Sequence, residues 1–176
     1  MLTHGFSDQT GELAKHLAGK DPVARFDALL AILNRGIDAA PFLAELFRCV
    51  EDPDHTEIRL AATAVLGGMR SGRREAIPFL LSRLFDSNLF IRKTAILALR
   101  VHVSACAATS PSRGLALEFL YDAAFKERSP LLRGELICVI HALEGRQDLS
   151  GTVVLRAAGG MKDPPMDPLK RYLAED

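Results

Sequence analysis

The chain has 176 residues, 48% of them hydrophobic and 25% charged, and its 22 basic and 22 acidic residues leave no net charge. That length supports one domain with a sizeable core, and the apolar content excludes a disordered chain. Zero net charge argues against a dedicated nucleic-acid binder, although it permits a local basic patch.

The apolar supply is mostly Ala and Leu, with nine Phe, two Tyr and no Trp. Small and branched aliphatics suit helix-on-helix packing better than a β-sandwich, so the expected class is all-α. Apolar runs are broken by Arg, Lys or Asp before about 18 residues, which predicts no transmembrane helix. Met1 to Phe6 lacks the basic start and apolar core of a signal peptide. The three cysteines, Cys49, Cys106 and Cys138, are odd in number and contain no CxxC. They read as buried reduced thiols in a cytoplasmic protein.

Taken in order, the chain predicts a short polar helix over 8–18, an N-terminal cap. Asp21-Pro22 and Ala24-Arg25 then start a helix with Ala28 and Ala31-Ile32 on one stripe. Ala40-Pro41-Phe42-Leu43 opens another, followed by the acidic turn Glu51-Asp52-Pro53-Asp54 and by Ile58-Arg59 leading to Ala62 and Val65-Leu66. The same text returns at Ile77-Pro78-Phe79-Leu80, with the turn Asp86-Ser87-Asn88 and then Ile91-Arg92 leading to Ala95 and Ala98-Leu99. The prolines are expected in first turns, where a missing N–H costs nothing.

Ser104 to Arg113, small and polar with Pro111, lengthens the next connection. Leu115 to Phe125 is the following helix, Lys126 to Pro130 a turn, and Leu132-Arg133 leads to Leu136 and Val139-Ile140. The tail after Glu144 predicts a helix from Thr152 to Ala158, closed by Gly159-Gly160, and a final helix ending near Tyr172. One helix pair cannot bury its apolar face alone, so repetition at this period predicts a stacked array.

The repeated text resembles the HEAT-repeat family over roughly Asp21 to Leu143, most closely at Ala76–Leu99. The resemblance implies a right-handed α-α superhelix: an N-terminal cap (1–20), about four helix pairs (21–143) and C-terminal capping helices (144–176), all in one domain. It implies that the second helix of each pair lines a concave surface. It also implies a structural ladder between repeats, made by Arg25, Arg59, Arg92 and Arg133 with the turn acids Asp54 and Asp86. Physical chemistry points the same way for Arg59 and Arg92. A cation at a helix start opposes the dipole, so a compensating acid is expected nearby.

No catalytic constellation is visible. The five histidines are scattered with no HExxH, there is no GxSxG elbow, and Ser71-Gly72-Arg73-Arg74 lacks the rest of a phosphate loop. His102 and His141 fall late in second helices but form no ligand motif. The expectation is therefore no enzyme, no cofactor and no metal.

Charge layout is the informative functional signal. Residues 27–64 carry seven acids against three bases, a net −4, while 65–113 carry eight bases against two acids, a net +6. The candidate partner-binding residues are Arg70, Arg73, Arg74 and Arg100, a basic patch suited to an acidic partner. The expected function is a non-catalytic interaction or scaffold module that holds a protein or peptide on its concave face. The alternative is a nucleic-acid-binding or DNA-repair protein using the basic 70–100 segment.

Overall fold

Polar connections of three to five residues separate most of the helices in the computed structural model, which describes residues 4–104 and 111–145. The order is α1 (His4–Ala18), α2 (Pro22–Arg35), a 3-10 turn (Ala40–Phe42), α3 (Leu43–Val50), α4 (Thr56–Gly68), α5 (Arg73–Arg83), α6 (Leu89–Ser104), α7 (Pro111–Lys126) and α8 (Pro130–Glu144). The described residues contain no strand, so the fold they form is all-α. The tail helices predicted after Glu144 and the thiol of Cys106 lie outside the described residues.

Local chemistry explains the boundaries. Asp21 caps α2 by accepting the Val23 N–H at 3.0 Å, with Pro22 in the first turn. Ser129 and Pro130 repeat the device at α8. Helix α2 stops at Gly36, whose φ of 61° is the left-handed conformation that Gly adopts without a Cβ penalty.

The prolines divide. Pro41 lies in the 3-10 turn, at a helix start. Pro78 does not: α5 begins at Arg73, five residues earlier, and Pro78 sits inside the helix. Gly72, at φ 71°, turns the chain into α5 at that earlier point, and Glu75 gives the first turn its acid. The helix therefore runs through Pro78 without the N–H that would bond the Arg74 carbonyl.

The chain divides into two compact units, residues 1–98 and 99–176, with the division inside α6. In the first unit α2 packs on α1 and α4, and α3 packs on α1, α4 and α5. In the second, α7 packs on α8 across a three-residue turn. The repeat register is visible in burial. The residue three after each repeat Arg is Ala28, Ala62, Ala95 or Leu136, and all four are buried. The residue seven after it, Ile32, Leu66, Leu99 or Ile140, is buried as well. This spacing puts one apolar stripe of each helix into a core.

Candidate interaction surface

The repeat arginines are held by the turns. Arg25 donates to Asp52 Oδ2 at 2.5 Å, from the start of α2 to the turn between α3 and α4. Arg59, at the start of α4, donates to Asp86 Oδ2 at 3.2 Å, to the Asp52 carbonyl at 2.9 Å and to Thr56 Oγ1 at 3.3 Å. Arg92 donates to the Asp86 and Ser87 carbonyls at 3.0 and 3.1 Å. In the second unit, Arg133 donates through both Nε and Nη2 to the Glu127 carbonyl. Arg59 thus ties its own turn to the next one, while Arg92 and Arg133 reach the carbonyls of their own turns.

The acid that pairs with Arg25 is Asp52, not Asp54. Asp54 is exposed, and its N–H donates to Asp52 Oδ1 at 3.0 Å. Asp52 precedes Pro53, whose fixed φ folds the turn so that the carboxylate accepts N–H groups two and three residues ahead. Its Oδ1 accepts the His55 N–H at 2.8 Å, and the His55 ring lies 3.0 Å away. Burial at 6% exposure pushes this carboxyl up. The bonds from His55, Arg25 and Asp54 outweigh that and hold its pKa at about 2.

Sequence reading missed Asp52, Arg83 and Glu127. Arg83 donates to the Val50 carbonyl at 2.9 Å and lies 3.6 Å from Asp86. Glu127 is buried and accepts the Ser129 N–H at 2.8 Å. A signal was present for the two acids. Asp52, Asp86 and Glu127 stand seven, six and six residues before their repeat arginines, whereas Asp54 stands five before.

The basic candidates separate. Arg70, Arg73 and Arg74 share the connection from α4 to α5 and the first turn of α5, where Arg70 and Arg74 are exposed. Arg73 is half-buried and donates through Nε to the Met69 carbonyl at 2.8 Å, so it braces the loop. Ser71, between them, donates to the Asp38 carboxylate at 2.7–2.8 Å. Arg100 belongs to the second unit, within α6 rather than at its end, and lies 3.9 Å from Glu135.

Beside this loop lies a shallow groove of about 230 Å³ between α4 and α6, lined by Ala64, Gly67, Thr94, Leu97 and Ala98. Gly67 makes it possible. A Cβ there would stand 2.8 Å from the Ala98 Cβ, so only Gly lets the helices approach this closely. On the α6 wall Leu97 is 41% exposed, and Phe90, seven residues earlier on the same stripe, is 63% exposed.

Burial pushes the Cys49 thiol up against the pull of Arg25, and burial with Glu135 does the same to Cys138, which makes both poor nucleophiles. His102 is buried, and the His141 Nδ1 is buried with no hydrogen-bond partner among the described residues. Tyr121 donates to the Glu144 carboxylate from α7 to the end of α8. The described residues bring no three His, Cys, Asp or Glu side chains into an arrangement that holds a metal ion, and no helix among them is long and apolar enough to cross a membrane. No protein-family model matches the chain, and no curated protein matches it either.

Proposed function

We propose that this chain is a non-catalytic interaction module, a short HEAT-like α-solenoid that holds a protein or peptide on the concave side formed by its second helices. The observation that carries the reading is the division of labour among the charged and apolar groups of those helices. Arg25, Arg59, Arg92 and Arg133 are committed to turns of the repeat. Leu97 and Phe90, on the second helix of the pair α5–α6, are left in solvent, as are Arg70 in the connection from α4 to α5 and Arg74 in the first turn of α5. A rigid helical array loses little conformational entropy on binding, so such a surface converts its contacts into affinity efficiently.

The test is capture from the source organism's lysate, comparing the wild-type chain with Arg70→Glu combined with Arg74→Glu. These two arginines are exposed, so the double variant keeps its fold while reversing the patch. A protein partner retained by the wild type and lost by the variant supports the reading. Retention on immobilised duplex DNA, weakening steeply with salt and abolished by the same variant, would instead favour nucleic-acid binding.

A further inference from the structure

From the α4–α6 groove we infer its occupant: an acidic amphipathic helix of a partner protein, its apolar stripe seated on Ala64, Gly67, Thr94 and Leu97 and its carboxylates toward Arg70 and Lys93. The inference rests on the interaction-module reading and names its partner's chemistry.

Shape selects the class of ligand. At about 230 Å³ and open to solvent, the groove is smaller than the enclosed pockets of some 300–1,000 Å³ that bury small molecules. It suits side chains inserted from a larger body. The described residues contain no sheet edge, so a strand cannot be added. Two adjacent helices that nearly touch at Gly67 and Ala98 leave a furrow above the contact, and a furrow between helices accepts the ridge of a third. Phe90 and Leu97, seven residues apart, extend the apolar wall over two turns, which matches anchors at i, i+3 or i+4, and i+7.

Charge selects the sign. The lining residues carry none: on α4 no charged residue falls between Arg59 and Arg70, and on α6 the segment after Lys93 is apolar through Leu99 apart from Thr94. Arg59 is engaged with Asp86; of the exposed groups bordering the furrow, Arg70 and Lys93 are basic and Glu57, seven residues before Ala64 on α4, is acidic, so cations lead by two to one. Arg70 follows Gly67 by three residues, so its Cα lies within about 11 Å of a groove residue, inside the reach of a guanidinium to a bound carboxylate. An acidic helix gains at this basic rim, and a basic one is repelled.

The test uses the full chain and a displayed library of random 16-residue peptides, followed by synthesis of the enriched sequences and anisotropy titration. The expected peptides carry apolar residues at helical spacing and net negative charge. Their affinity should fall at least about tenfold with Leu97→Asp, and more steeply with salt for the wild type than for Arg70→Glu. Leu97→Gln serves if Leu97→Asp fails to fold, and backbone amide shifts at Ala64, Gly67 and Thr94 mark the site directly. Enrichment of basic peptides, or of peptides indifferent to both Leu97 variants, overturns this inference and leaves the module reading standing. Self-association of the chain that Leu97→Asp abolishes also overturns it, making a second copy the occupant. No enrichment at all, together with salt-sensitive DNA retention, overturns both.

Discussion

At Asp52 a single carboxylate gathers two N–H groups, an imidazole and a guanidinium at 6% exposure. Its pKa in the fold is about 2, against 3.8 for the ordinary group. A depressed carboxyl contributes stability that is fully present above the unfolded value and is lost as pH falls through the folded one. The shift corresponds to about 2 kcal/mol, so wild-type stability should decline by that order between pH 4 and pH 2 through this group. Asp52→Asn should cost about 3 kcal/mol at neutral pH, because it strands the largely buried Arg25. Urea titrations at pH 7, 4 and 2.5 should show the gap between the two proteins closing toward the acid end.

The paired glycines at the end of α4 make a second residue-scale prediction. Gly67→Ala drives its new Cβ against Ala98 and should cost about 1–3 kcal/mol, despite the better helix propensity of Ala. Gly68, one position on, has open space where a Cβ would stand, with nothing within 4 Å, and Gly68→Ala should be neutral or stabilising by up to about 1 kcal/mol. Thermal melts of the two variants should separate, with Gly67→Ala well below wild type and Gly68→Ala at or above it.

At the scale of the element, the repeat Arg sets the register of its helix. Ala62 and Ala95 stand in one slot, three residues after it, and both are wholly buried. Ala95→Leu should cost about 1–3 kcal/mol by overpacking, measured by chemical denaturation. A melt identical to wild type would remove Ala95 from the core and break the register. Helix α5 shows the limit of such slot reasoning. Its Pro78 aligns with Pro41 in the text, yet one lies in a helix interior and the other in a 3-10 turn. Both are tolerated while their aromatic successors do the packing: Phe42 is buried, and the Phe79 ring stacks on Phe47 with centroids 3.5 Å apart.

For the whole molecule, the arginines fall into two populations that the sequence alone writes with the same letter. Arg25 and Arg59 are 16% and 12% exposed and bonded to turn acids, whereas Arg70 and Arg74 stand in solvent. Arg59→Met should therefore cost about 3 kcal/mol, since it leaves the buried Asp86 short of a donor. Arg70→Glu with Arg74→Glu should shift stability by no more than about 0.5 kcal/mol. Melting curves of the two proteins side by side distinguish brace from patch.

What the sequence determined by itself was the helical class, the run of short helices and the stripe of buried residues at Arg plus three and Arg plus seven. These follow from apolar periodicity and from turn chemistry such as Asp21-Pro22 and Asn88, which act within a few residues. Tertiary structure alone decided which acid meets which arginine. In Glu51-Asp52-Pro53-Asp54 three carboxylates compete, and the choice of Asp52 depends on where Arg25 arrives from 27 residues away. It also decided that Arg73 braces its loop while Arg70 and Arg74 face solvent, and that Gly67 meets Ala98. Those outcomes rest on contacts between helices distant in sequence, and the local spacing that writes a helix carries no information about the distance to its neighbour.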